Sequence, residues 1–239
     1  MTDHGAFLVA DSLARRYPGG VQALADVTFC AEAGEVIAVT GPSGCGKSTL
    51  LSLLGLLDQP TTGRITIRGQ LLAAVPDPAA FRARSIGFVF QFHHMIPTMT
   101  LLENVAAPLI AIGVSRRERL ERASAILDRV GLAHRAGFLP RNVSGGERQR
   151  AAVARALVNR PAVILADEPT GNLDTRNGEL VVELIVRHAR EAGALAILAT
   201  HNPEVAAVAD WGLELRDGRR VTPSVLVGQE VRVPALSRA

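Results

Sequence analysis

Residues 41–49 read GPSGCGKST, which contains a glycine, four residues, then Gly46-Lys47-Ser48. That spacing is a phosphate-cradling loop. Gly41, Gly44 and Gly46 let the backbone curl so that successive N–H groups point at one centre. A helix starting there adds the partial positive charge of its N-terminus. Lys47 is placed to reach the β- and γ-phosphates and Ser48 to bind Mg2+, with Pro42, Ser43, Cys45 and Thr49 completing the loop. Lys47 is also the only lysine among 26 basic residues. A compact ammonium fits inside a loop wrapped around phosphate where a planar guanidinium does not.

A second group of residues has the chemistry to act on such a phosphate. Residues 163–169 read VILADEP. Four apolar residues end in Asp167-Glu168, which puts two carboxylates at the C-terminal end of a buried strand, where open parallel sheets bind ligands. Asp167 would hold Mg2+, directly or through water, and Glu168 would be the general base for the attacking water. Residues 194–199, ALAILA, read as another buried strand ending at Thr200-His201. His201 then points at the same crevice, either as a γ-phosphate contact or as a satisfied structural histidine. Ser144-Gly145-Gly146, ahead of a helical run from Ala151 to Val158, form a second anion-binding helix start, this one without a lysine. Tyr17, before Pro18-Gly19-Gly20, either stacks a nucleobase or is a half-buried turn aromatic. Cys45 is read as a small residue at a variable loop position, although a helix N-terminus and Lys47 would lower a thiol pKa there.

The elements that must position these residues follow from periodicity. Val36-Ile37-Ala38-Val39 predicts a buried parallel strand, and Leu50 to Leu54 the core face of a helix. Residues 6–10 and 24–30 predict strands of a small N-terminal sheet, with further strands over 64–68 and 84–90 and Pro76-Asp77-Pro78 as punctuation. After Gln91 the pattern turns helical from 99 to about 136. Ser115 opens an amphipathic helix with the stripe Leu120, Ala123, Ile126, Leu127 and Val130, and Gly131 is its C-cap. A strand pair over 211–216 and 219–222 turns at Asp217-Gly218. The fold class is therefore α/β, a phosphate-loop core with a parallel sheet, a small N-terminal antiparallel β subdomain and an inserted helical subdomain. Residues 1–91 and 160–222 form the core, 92–159 the helical insert and 223–239 a tail, all within one domain of 1–239.

Composition removes several classes of function. Of 239 residues, 48% are apolar and 21% charged, with a net charge of +3. Mean hydropathy is +0.20, yet no run of about 18 apolar residues marks a membrane span. The N-terminus has no signal-peptide pattern, so a cytoplasmic protein is expected. Scattered arginines and only 4% aromatics give no nucleic-acid-binding pattern. Two cysteines, Cys30 and Cys45, make neither a disulfide framework nor a metal site.

The order of these pieces resembles the ATP-binding-cassette ATPases over residues 6–222. The loop at 41–49, Gln91, SGGE at 144–147, Asp167-Glu168 and His201 carry the likeness. The resemblance implies that Tyr17 stacks adenine and that Gln91 contacts Mg2+ and the attacking water. It implies that Ser144, Gly145, Gly146 and the adjoining Glu147 bind the γ-phosphate of ATP held by a second copy. Asn172-Leu173-Asp174 would cross that interface, and His201 would be the switch histidine. The catalytic set is then Lys47, Gln91, Glu168 and His201, the Mg2+ set Ser48, Gln91 and Asp167, and ATP also meets Asp174. Val143, Glu147, Arg148 and Arg150 depart from the commonest family residues. FVFQFHHMIPTMTLLENVAAPL and DEPTGNLDT are similar to the lipoprotein-releasing, macrolide-export and cell-division subgroup. That likeness implies an ATP-dependent homodimer, peripheral on the inner face of the membrane, which drives a separate integral-membrane permease. His93, His94 and Met95 would lie near the groove that receives it. A nontransport regulator of envelope or division machinery is the alternative.

Overall fold

The computed structural model describes residues 6–221. The chain divides into two units, residues 1–76 with 197–239 and residues 77–196. The first unit holds an antiparallel sheet in the order β2-β1-β4-β5, made of β1 (Leu8–Arg16), β2 (Gln22–Ala31), β4 (Thr62–Ile67) and β5 (Gln70–Leu71). Leu8, Leu13, Leu24, Val27 and Phe29 are fully buried along β1 and β2, where shifts of register between the strands interrupt the two-residue alternation. In the same unit β3 (Val36–Thr40) leads into α1 (Lys47–Leu54). β3 pairs in parallel with β9 (Trp211–Arg216), from Ile37 opposite Trp211 to Thr40 opposite Glu214. β10 (Arg219–Arg220) returns antiparallel to β9, and α7 (Pro203–Ala206) is a short helix capped by Asn202.

The second unit contains α2 (Pro78–Ser85), β6 (Ile86–Phe90), α3 (Leu101–Ala106), α4 (Arg116–Arg129), α5 (Gly145–Leu157), β7 (Val163–Asp167) and α6 (Thr175–Ala192). β6 and β7 are parallel, with Ile86 opposite Val163 and Phe90 opposite Asp167. β8 (Leu195–Ala199) is buried along its length, and the division of the chain falls within it. An antiparallel sheet and a mixed, mostly parallel one, both with helices, make an α/β fold. Near-continuous burial of β3, β7 and β8 is the mark of parallel strands covered on both faces. Among the described residues no helix is long and apolar enough to cross a membrane.

The expected strands and helices are present, with shifted bounds and some additional elements. Strand β6 starts at Ile86, not at residue 84, because Pro76-Asp77-Pro78 opens a helix as well as punctuating the chain. The Asp77 carboxylate accepts the Ala80 N–H at 3.0 Å, and Pro78 occupies the first helical turn, where its missing N–H costs nothing. Helices α6 and α7 and strand β5 have no counterpart among the expected elements. The amphipathic helix α4 buries Ala123, Ile126, Leu127 and Val130, and Gly131 follows it with φ 72°. The expected tail at 223–239 lies outside the described residues.

Two buried polar side chains set measurable properties of the second unit. Asn104 is fully buried. Its Oδ1 accepts the Ile96 N–H at 2.7 Å, and its Nδ2 donates to the carbonyls of Ile96, Met99 and Thr100. One side chain thus satisfies the backbone of the loop before α3. Asn104→Ala strands these groups at a cost of about 1–3 kcal/mol. Thermal unfolding should report a midpoint lowered by roughly 3–10 °C; an unchanged midpoint would refute this role.

His188 on α6 is 7% exposed. Burial first, and then the positive charge of Arg129, push its pKa below the ordinary value. The unfolded chain takes up this proton near pH 6.5 while the folded chain resists it. Stability is therefore lost as pH falls from about 6.5 toward the folded value. In urea titrations on either side of that range, His188→Gln should lose less stability than wild type on acidification; an equal loss would contradict the assignment.

Candidate active site

The phosphate loop lies wholly in the first unit and is shaped by its contacts there. A Cβ on Gly41 would meet the Leu215 carbonyl oxygen at 2.1 Å, and one on Gly46 would meet the Ala23 carbonyl oxygen at 2.5 Å. Both glycines have positive φ, 141° and 107°, so close approach and backbone conformation each exclude a side chain. The Gly218 N–H donates to the Cys45 carbonyl at 3.1 Å, and the Gly218 carbonyl accepts the Ala25 N–H at 2.7 Å. The loop is thereby wedged between β2 and the β9–β10 turn. Cys45 is buried and reduced, its Sγ 2.7 Å from where a Gly41 Cβ would be, so the thiol fills the loop interior.

Lys47 is 8% exposed. Its Nζ donates to the carbonyls of Gly41 at 2.8 Å and Pro42 at 3.1 Å, which holds the ammonium against the rim of the loop. Helix α1 starts at Lys47, and Gly46 before it provides no side-chain cap. The six other α-helices among the described residues are capped by Asp77, Thr100, Ser115, Ser144, Asp174 and Asn202. The N-terminal N–H groups of α1 are thus the one set that no side chain satisfies, and an anion is their natural partner. In the same unit the Thr200 N–H donates to Val39 O at 3.0 Å, which sets His201 beside the strand end that runs into the loop. Tyr17 donates its hydroxyl to Asp58 at 3.0 Å, and the Arg15 guanidinium lies 4.7 Å over its ring.

The second unit brings together Gln91, Asp167, Glu168, Asp174 and the Ser144 segment. Because Phe90 pairs with Asp167, Gln91 and Glu168 leave adjacent strand ends at one level. Glu168 has φ 46°, uncommon for a residue with a side chain and of the kind that clusters at functional sites. Gln91 covers the backbone of Gly171, where a Cβ would lie 2.9 Å from Gln91 Nε2, and the Asn172 amide donates to Gln91 O at 3.2 Å. Ser144 caps α5 in a reciprocal capping box with Glu147. The Ser144 N–H is the main cause holding the Glu147 carboxyl below the usual carboxylate range, with the Ser144 hydroxyl and Arg135 helping.

Gly146 packs on Asn177, which a Cβ would meet at 2.6 Å, whereas a Cβ on Gly145 would find only Arg148, at 3.9 Å. Asn177 accepts from Arg150 at 2.9 Å and donates to the Asp174 carboxylate at 2.7 Å. The Asn177 backbone N–H is the main cause of the lowered Asp174 pKa. The loop after Glu168 is therefore tied to the start of α5.

Two residues of this network escape motif reading. Arg155 donates to the carbonyls of His93 and His94, both at 2.6 Å. Gln149 is 1% exposed and donates to Phe90 O at 3.3 Å and Pro169 O at 2.9 Å. The available signal for Gln149 was a polar residue on the core face of α5, in line with Gly146 and Val153.

A family model described as ABC transporter matches residues 24–171. The lipoprotein-releasing system ATP-binding protein LolD of Bordetella pertussis is 47% identical over 226 residues, which span 91% of this chain and 96% of that protein. The protein of the same name from Shewanella oneidensis is 43% identical over 221 residues, 90% of this chain and 96% of its own. Among solved structures, the dimeric post-hydrolysis ATP-binding cassette MJ0796, bound to ADP and Pi, superposes with a TM-score of 0.83 at 37% identity. It covers 89% of this chain and 96% of that one. A 27% identical cassette, cbiO1 from Clostridium perfringens, gives 0.81 over 91% of this chain and 88% of that one. The chain belongs to the ABC transporter family, and as a cassette of that family it hydrolyses ATP coupled to transport.

Proposed function

We propose that two copies of this chain close around two ATP molecules and drive a separate membrane permease of the lipoprotein-release type. The observation that carries the reading is α1, the one uncapped α-helix among the described residues, with Lys47 buried at its start. A polyphosphate fits this donor set of converging N–H groups and one ammonium. Residues 41–49 hold the phosphates and Tyr17 offers a ring to the adenine. Ser48, Gln91 and Asp167 would hold Mg2+, which when bound neutralises charge on the phosphate oxygens.

Glu168 takes the proton of the attacking water as Gln91 orients it, the γ-phosphorus accepts the new oxygen, and its bond to the β–γ bridging oxygen breaks. Lys47 and His201 stabilise the charge that develops. Ser144, Gly145 and Gly146, with Glu147 fixing their cap, meet the ATP of the second copy, and Asp174 lies at the same interface. Nothing in its own chain requires Gly145 to lack a side chain, which suits a close approach by that copy. We assign 92–159 as the helical signature subdomain, 1–91 and 160–222 as the ATPase core and 223–239 as a tail. Exposed Phe92, Ile96 and Ile110 offer an apolar permease contact beside Gln91, with His93, His94 and Met95 held there by Arg155. The complex sits peripherally on the cytoplasmic face of the membrane.

Light scattering of Glu168→Gln with ATP and Mg2+ should show a stable dimer, because hydrolysis no longer releases it; a species that stays monomeric at saturating ATP would sink the sandwich. Gly145→Asp should leave the melting midpoint and the ATP affinity of the monomer near wild type while hydrolysis falls on the order of 100-fold. Undiminished hydrolysis in that variant would remove the Ser144 segment from the site.

A further inference from the structure

Gln149 occupies a position that the hydrolysis scheme above does not use. It lies just over one helical turn beyond the Ser144 cap and is almost completely enclosed. Its Nε2 donates to the last carbonyl of β6, that of Phe90, and to the carbonyl of Pro169. The first immediately precedes Gln91 and the second immediately follows Glu168. An amide nitrogen has two protons, and both acceptors are carbonyls that can only accept. The orientation of the amide is therefore fixed, and Oε1 is buried with no hydrogen-bond partner among the described residues. Burying an unpaired acceptor is unfavourable, so this glutamine is not the residue that stability alone would select at a core position.

Resting on the roles assigned above to Gln91, Glu168 and the Ser144 segment, we propose that Gln149 is a positioning residue for hydrolysis. It clamps the two strand ends that present Gln91 and Glu168 to the same rigid helix whose first turn meets the partner copy's nucleotide. Docking of that nucleotide on α5 and alignment of the water-orienting and proton-accepting groups are then one mechanical event. Gln149 is enclosed by protein, so its loss affects turnover and leaves nucleotide capture at Lys47 intact.

The test uses the full chain with Gln149→Met, which keeps length and loses both donors, and Gln149→Glu, which keeps shape and is acceptor-only when ionised. The expected result is a nucleotide Kd within about twofold of wild type, with kcat lowered on the order of 10- to 100-fold. For Gln149→Glu, kcat should recover as pH falls, because a protonated carboxyl regains one donor; Gln149→Met should show no such recovery. Wild-type kcat in either variant overturns the proposal, as does a parallel loss of kcat and nucleotide affinity. A variant that unfolds instead of losing kcat assigns Gln149 to stability and overturns it as well. Glu168→Gln run alongside separates the two ideas. If it abolishes hydrolysis while the Gln149 variants turn over normally, only the clamp fails; if it leaves hydrolysis intact, the reading of Glu168 fails first.

Discussion

The structure depends on one helix that begins without a cap. Helix α1 leaves its first N–H groups unsatisfied by any side chain, a state that is costly unless an anion or water completes it. Much of the first unit serves to hold that arrangement. Gly41 and Gly46 are pressed against backbone carbonyls of β9 and β2, the β9–β10 turn clasps Cys45, and Lys47 is drawn over the rim by two carbonyls of the loop. A preorganised set of donors needs little rearrangement when charge develops opposite it, which is how such sites favour a transition state.

The second unit solves a different problem with polar contacts between separate stretches of chain, of which the one from Gln149 to Pro169 is buried. Gln91, the loop from Glu168 to Asp174 and Ser144 come from three separate stretches of chain, and hydrogen bonds run between those stretches. Asn172 reaches Gln91 O, Asn177 joins Asp174 to Arg150, Gln149 joins the two strand ends, and Arg155 holds the His93 and His94 carbonyls. Where such contacts are enclosed, as at Gln149, they impose geometry most strongly. The helix that starts at the Ser144 cap is the common element.

The chemistry was legible because it is written in short contiguous motifs. Lys47 with its glycines, Asp167-Glu168 after four apolar residues and the Ser144 segment each announce themselves within ten residues. Parallel strands were equally clear, since burial on both faces leaves unbroken apolar runs. What stayed hidden depends on partners distant in sequence. Gln149 reaches 59 residues back to Phe90 and 20 forward to Pro169, and nothing local distinguishes it from a solvent-facing glutamine except its place on the core face. Helix α6 was obscured by Asn177-Gly178, which has turn chemistry. In the fold Gly178 continues the helix by donating to Asp174 O at 2.9 Å, and its missing side chain lets Thr170 approach to 3.4 Å of a Cβ position. Pro76-Asp77-Pro78 was ambiguous in the same way, since proline and aspartate both end one element and cap the next.

The central claim is that each site is completed by two chains, with Lys47 from one and Ser144 from the other. Mixing two inactive variants tests it most directly. Chains carrying Lys47→Ala and chains carrying Ser144→Arg each lack one half of every site when paired with themselves. A mixed dimer contains one site in which both halves are intact. Mixing the two preparations should therefore restore ATP hydrolysis to a clear fraction of the wild-type rate. If the mixture stays as inactive as its components while mixed dimers form, the site lies within a single chain and the account is contradicted.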